Sequence, residues 1–294
     1  MTAAVIAQQA VNGIVLGSLY VLVALGLTLI YGVLVQINFA HADFVTIGAF
    51  CAYFLMHLTG ASYPVSIAAA LIAGGVAGFS INAAIFAPLR QRGGELPPLI
   101  ATIGVSVMLQ NAMLAVLGPV PYAFETPYSQ QVFRFAGTFI TMQNVIIVTV
   151  AATAIALIYA FMRFTFLGKA LRAVAQDRET AGLMGIDASR LVTLTFVLAS
   201  ALAGMGGAML APVLVLTPFA GATVIVKAFA IVIIGGFGNV EGTILAGLLV
   251  GLIESFTTQF LGPGLIDIVV FGLLLAMLAF RPAGLISERR EENV

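Results

Sequence analysis

The sequence predicts an all-α, polytopic integral membrane protein of about 8–9 transmembrane helices, some broken or re-entrant. Three observations predict it. Of 294 residues, 61% are hydrophobic and 8% are charged, against roughly 45–50% and 25% in soluble domains. Several apolar runs approach the roughly 20 residues that cross a hydrocarbon layer about 30 Å thick. The few basic residues are gathered into a small number of connections. Helices satisfy their own backbone in lipid, whereas strands outside a closed barrel do not.

Apolar runs punctuated by charge, Pro and Gly place spans near 10–32, 43–60, 63–88, 97–117, 142–162, 191–214, 224–237, 242–260 and 264–281. The seventh is too short to cross alone, so nine crossings and eight are both open. Arg90 and Arg92 fall between the third and fourth spans. Arg163, Lys169, Arg172, Arg178 and Arg190 fall between the fifth and sixth, and Arg281, Arg289 and Arg290 follow the last. If the spans alternate, ten of the 12 basic residues share one side, leaving Arg134 in the loop 118–141 and Lys227 at a span edge. Cytoplasmic loops collect Lys and Arg. The C-terminus is therefore expected in the cytoplasm and the N-terminus outside, with residues 1–294 forming a single domain. The apolar start lacks the basic residues of a secretory leader and reads as a retained span.

Composition also narrows the chemistry. Twelve basic and 12 acidic residues give no net charge, hence no basic surface for nucleic acid. A single Cys51 and two histidines offer neither an internal disulfide nor a His/Cys metal cluster. Gly168-Lys169 is followed by Ala170, without the glycine spacing of a phosphate-binding loop. Any ATP consumed is hydrolysed by another chain.

Small residues recur at helical spacing in Gly13-xxx-Gly17, Gly74-xxx-Gly78, Gly247-xxx-Gly251 and the patch Ala203–Ala208. Such faces let helices approach closely in lipid. They suit internal packing first and subunit contact second.

Two polar breaks interrupt apolar stretches. One is Gln36-Ile37-Asn38-Phe39-Ala40-His41-Ala42-Asp43; the other is Gly235-Gly236-Phe237-Gly238-Asn239-Val240-Glu241-Gly242. In each, an Asn suited to capping is followed by an acid suited to the first helical turn. Either these are short surface loops whose only task is capping, or they are broken helices beside a substrate path, as in other transporters. The path residues under the second reading are Asn38, Phe39, His41, Asp43, Gly236, Asn239 and Glu254. His41 and His57 are expected as interfacial polar residues rather than proton relays. Lys227, Glu254 and Asp267 sit at similar depth in the outer halves of their spans. A lone charge there costs roughly 2.5–3.5 kcal/mol, so Lys227 and Glu254 are expected to form an ion pair.

The connection 163–190 carries a stretch from Lys169 to Met184 rich in helix formers and free of Pro. Ala170, Ala173, Val174 and Ala181 form a smooth stripe, with Arg172, Gln176 and Glu179 on another face. Without the bulky apolar face of a membrane-lying helix, it reads as a helix that docks into a partner's groove.

Here the chain resembles a known family. Glu179-Thr180-Ala181-xxx-Gly185 is similar to the EAA-xxx-G loop through which permeases of ABC importers contact their ATPases. It departs in having Thr180 for the first Ala and in lacking the later Ile-x-Leu-Pro part. Gly26-Leu27-Thr28-Leu29-Ile30-Tyr31-Gly32, Ile37–Asp43, Gly168-Lys169-Ala170-Leu171-Arg172-Ala173 and Gly235–Gly242 resemble the signatures of branched-chain amino acid permeases, with Ala42 where that family usually has Gly. The resemblance spans about residues 10–285 and implies a five-part importer. A periplasmic or extracellular solute-binding protein would deliver substrate to two homologous permeases in a bacterial inner membrane. Two cytoplasmic ATPases would drive alternating access.

In that scheme the chain is no enzyme and binds no cofactor, ATP and Mg²⁺ being held by the ATPases. Gly168, Arg172, Ala173, Asp177, Glu179, Ala181 and Gly185 would form the ATPase contact, and the outer loop 118–141 would receive the binding protein. Substrates would be branched-chain or other apolar amino acids, with urea or short amides as the alternative. An ion-coupled secondary transporter would instead use Glu254 or Asp267. A channel reading rests only on Asn38-Phe39-Ala40, which lacks the Pro and the second copy of Asn-Pro-Ala channels. Neither competing class requires the docking helix.

Overall fold

A computed structural model describes residues 3–91, 96–135 and 137–286. Arg92, Arg289 and Arg290 lie outside these. The helices are α1 (Ala3–Leu34), α2 (His41–Thr59), α3 (Tyr63–Ile81), α4 (Ala87–Gln91), α5 (Leu96–Leu117), α6 (Met142–Phe164), α7 (Phe166–Gln176), α8 (Arg178–Leu183), α9 (Ala188–Leu210), α10 (Ala220–Gly235), α11 (Val240–Phe260) and α12 (Ile266–Phe280). A π-helical turn, Asn82–Phe86, joins α3 to α4. Eight of the described helical segments are long and apolar enough to cross a membrane, and α10, with 16 residues, is shorter.

α1 is the axle. Its 32 residues rise about 48 Å at 1.5 Å each, and nearly every side chain from Val15 to Ile30 is buried. α9, α10 and α11 pack around it, and α2 and α3 pack on α9. The rim helices α5, α6 and α12 leave Ile100, Leu157 and Leu275 about two-thirds exposed, as expected of helices that face lipid.

The small-residue faces close the core. Gly13 and Gly17 of α1 meet Gly251 and Gly247 of α11, so two of the predicted motifs pack on each other. Gly74 and Gly78 of α3 meet Ser200 and Gly204 of α9. A Cβ on Gly48 would run into the Gly204 carbonyl, and one on Gly207 into that of Val45. Backbone-to-backbone approach of this kind is available only to glycine.

Within the connections, the structure corrects the sequence reading at three places. The connection 118–141 contains a hairpin, β1 (Val132–Phe135) paired antiparallel with β2 (Thr138–Thr141). It is pinned to α1, because Gln8 accepts from the Phe139 amide (2.7 Å) and donates to its carbonyl (3.0 Å). The expected single helix over 169–184 is two, broken at Asp177. Its small-residue stripe also faces inward: Ala170, Val174 and Ala181 are buried in one cluster with Leu171, Ile30, Val33, Phe86 and Val192, and Ala173 packs against it.

Candidate functional site: two helix breaks and a charged pair

α1 ends at Leu34, and Val35 takes φ 53°, a left-handed conformation rare for a β-branched residue. The chain then doubles back, so His41 lies beside Val23 and Gly26, about 12 Å back along α1 from Leu34. α2 therefore begins within the length of α1. Asn38 turns this corner: its Oδ1 accepts from the Ala40 amide at 3.1 Å and its carbonyl from the His41 amide at 3.3 Å. This is a turn-forming bond two residues on, ahead of the helix, and α2 has no side-chain cap at Ala40.

His41 is fully buried. The interfacial position expected for it is therefore wrong, because the re-entrant start carries it into the bundle. Its Nε2–H donates to the Val23 carbonyl at 3.1 Å, which leaves Nδ1 as an acceptor without a partner. A Cβ on Gly26 would lie 2.6 Å from its ring. Asp43, in the first turn of α2, is buried and faces Ser106 and Gln110 of α5, while its Oδ2 has no partner. Asn38 Nδ2 has none either. Phe39 packs on Phe229 of α10, ring centroids 5.7 Å apart.

The second break turns on glycine: Gly236 has φ 104° and Gly238 φ 79°. Asn239 caps α11, its Oδ1 accepting from the Gly242 amide at 2.7 Å. Glu241 accepts from the Tyr159 hydroxyl at 3.1 Å and lies 3.6 Å from Arg163. Thr243 and Thr28 of α1 hold their hydroxyls 2.7 Å apart, and Phe237 packs on Tyr31 with centroids 4.2 Å apart. The segment after α12 lies over this break, with the Leu285 amide donating to the Ile234 carbonyl at 2.8 Å.

The predicted ion pair is formed. Lys227 Nζ is 2.7 Å from Glu254 Oε1, with side chains 13% and 10% exposed. Lys227 also donates to the Tyr20 hydroxyl at 3.3 Å. Glu254 Oε2 is buried without a partner. Tyr20, Val23, Thr28 and Tyr31 thus string the charged pair and both breaks along α1. Four of the seven residues expected on a path (Asn38, His41, Asp43 and Glu254) each carry a buried, unpartnered polar atom. Buried polar atoms are nearly always bonded to protein or water, so each of these four atoms is open to a bond from water or a polar solute. Asp267 is exposed, and its charge reaches Tyr20 beside the pair.

In the segment 163–190, Gly168 lets α7 approach the end of α6, since a Cβ there would meet the Phe161 and Met162 carbonyls. Arg172 donates to the Met162 carbonyl, so it ties α7 to α6, and Ala173 is half-buried. Asp177 starts α8 by accepting from the Glu179 and Thr180 amides at 2.9 and 3.0 Å. The Thr180 hydroxyl and these amides hold its carboxyl below the usual carboxylate range. Asp favours such caps over helix interiors, which is why the helix breaks there. Glu179 is exposed, Ala181 is buried, and Gly185 ends α8 with φ 83°. Leu183 and Met184 are 88% and 80% exposed.

Comparison with known proteins agrees with these motifs. Residues 9–278 match the family model described as "Branched-chain amino acid transport system / permease component". The chain belongs to this family. The permease is 35% identical to BraD of Pseudomonas aeruginosa and 32% identical to LivH of Escherichia coli, each alignment covering 98% of this chain and 97% of the relative. Both are named high-affinity branched-chain amino acid transport system permease proteins. It is also 24% identical to LivM of Escherichia coli over 93% of this chain and 69% of that one. No solved structure matches the permease.

Sequence reading missed the partners that make these residues a site: Tyr20, Tyr159 with Arg163, and Ser106 with Gln110. The last pair had a signal, two polar residues four apart in an apolar helix, whose side chains bond at 3.0 Å.

Proposed function

We propose that this permease is a membrane subunit of a binding-protein-dependent ABC importer that carries branched-chain or other apolar amino acids. It works with a second homologous permease, two cytoplasmic ATPases and a solute-binding protein in a bacterial inner membrane. ATP and Mg²⁺ stay on the ATPases, and this chain binds no cofactor. The names of BraD, LivH and LivM support the substrate class, and the two kinds of named permease support a paired partner. Arg90, Arg163, Arg172 and Arg178 gather near α7, which supports placing that end in the cytoplasm.

One observation carries the mechanism: the segment 163–190 touches both breaks. Arg163 meets Glu241 at the second. Val174, Gln176 and Arg178 share a cavity with Val35 and Gln36 at the first. ATPase closure that moves α7 and α8 therefore bears on both points where helices begin inside the bundle. The exposed Leu183 and Met184, with Glu179, offer the ATPase an apolar contact rimmed by charge. A zwitterion passing the first break meets the Asp43 carboxylate for its ammonium and the Asn38 amide for its carboxylate. Phe44, whose ring lies edge-on to His41 with centroids 6.3 Å apart, offers an apolar neighbour to an aliphatic side chain there.

The test is leucine uptake by the complete importer in proteoliposomes. Asp43→Asn is expected to lower uptake by about tenfold or more with assembly unchanged. Unchanged uptake would remove Asp43 from the path.

A further inference from the structure

A second feature of the permease lies at the start of the first break, where α1 ends. Between the end of α1, α4 and the junction of α7 with α8 is a cavity of about 370 Å³ lined by Val33, Leu34, Val35, Gln36, Arg90, Val174, Ala175, Gln176 and Arg178. Its lining mixes five aliphatic side chains with two guanidinium groups and two amides, and both the α1 wall and the α7–α8 wall carry some of each. Arg90 is held in place from behind. Its Nη2 donates to Asn82 Oδ1 at 2.7 Å, and the guanidinium lies 5.4 Å from the centroid of the Phe196 ring. Asn82 is fully buried on the π-helical turn and donates in turn to the Thr193 hydroxyl at 3.1 Å. Arg178 lies close enough for its charge to act on Arg90. Among the described residues neither arginine has a carboxylate within ion-pair distance, although Arg163, Arg190 and Lys227 all do.

The charge of Arg178 acts against that of the part-buried Arg90, and an anion between the two guanidinium groups would relieve it. A phosphate fits: guanidinium groups bond phosphate oxygens in a bidentate fork, and the glutamine amides add donors. α5 packs against α4, which carries Arg90, and its Leu96 and Ile100 are about two-thirds exposed.

We propose that this cavity binds the phosphodiester headgroup of an anionic phospholipid, with Arg90 and Arg178 as its ligands and the acyl chains along α5. Basic pockets between helices at a membrane face are suited to such headgroups. The lipid bridges α1 at the first break to the α7–α8 junction, so anionic lipid tightens the link between the segment 163–190 and the break.

The experiment is native mass spectrometry of the complete importer purified in mild detergent, with phosphatidylglycerol and phosphatidylcholine supplied in equal amounts. Wild type is expected to retain phosphatidylglycerol selectively. Arg178→Gln and Arg90→Gln should each lower that retention about fivefold, and Arg178→Lys should restore part of it. Arg190→Gln, a basic residue outside the cavity, should change nothing. Arg178 is exposed, so its variant tests the site even if Arg90→Gln does not fold. Equal retention in Arg178→Gln and wild type would overturn the proposal. Two other results would also overturn it. Binding of inorganic phosphate without selective lipid retention would assign the arginines to free phosphate. Loss of the ATPase from Arg178→Gln at unchanged lipid content would assign them to a partner carboxylate.

Discussion

Lys227 of α10 and Glu254 of α11 meet at 2.7 Å inside the bundle, beside the hydroxyl of Tyr20. Removing one partner of a buried pair leaves an uncompensated charge, at a cost of about 3–5 kcal/mol, whereas replacing both often costs little. Lys227→Met should therefore lower thermal stability in detergent far more than Lys227→Met with Glu254→Gln. Equal stability of the single and double variants would show that the pair is not structural.

The crossing of α2 and α9 is set by glycine. Gly48→Ala places a methyl against the Gly204 carbonyl, and overpacking of this kind costs about 1–3 kcal/mol or more. The variant is expected to express poorly and unfold at lower temperature. Gly104→Ala, where a Cβ meets nothing within 4 Å, should leave both unchanged. If Gly48→Ala is as stable as wild type, the backbone contact does not hold the two helices.

Two variants separate the halves of the segment 163–190. Leu183→Glu with Met184→Glu should abolish co-purification of the ATPase while leaving the fold intact, because both side chains are exposed. Arg172→Glu should loosen α7 from α6, since Arg172 bonds the Met162 carbonyl. Limited proteolysis near residue 165 reports that loosening. Retained ATPase in the first variant would move the docking surface elsewhere.

Asp177 gives a pH signature. Its carboxyl is held below the usual range by Thr180, so its contribution is fully present above about pH 4. That contribution is lost as pH falls through the lowered value. The protection factors of the Glu179 and Thr180 amides, taken against the intrinsic exchange rate at each pH, should drop over that fall, and in Asp177→Ala both amides should be unprotected throughout. Protection that ignores both pH and the substitution would remove Asp177 as the cap.

Much of this architecture was legible in the residues. Apolar length located the spans, and glycine spacing located the α1–α11 and α3–α9 faces. The scarcity of charge singled out Lys227 and Glu254. Capping chemistry found Asn239, yet Asn38 bonds the Ala40 amide ahead of the helix, because there the chain must turn back along α1. Depth was the main thing hidden. Nothing local to His41 reveals that α2 starts beside Val23, since that follows from a long-range reversal at Val35. The inward turn of Ala170 and Ala181 was hidden for the same reason: a small-residue stripe fits a partner's groove and the chain's own core equally well, and only the position of α1 decides between them.

In the proposed function a separate ATPase drives transport through these breaks. Reconstitution of the permease with its paired permease, ATPases and binding protein tests it most directly, by leucine uptake with and without ATP. Uptake is expected only when ATP and all partners are present, with a marked loss of uptake in Asp43→Asn. Uptake by this chain alone, driven by an ion gradient without ATP, would contradict it.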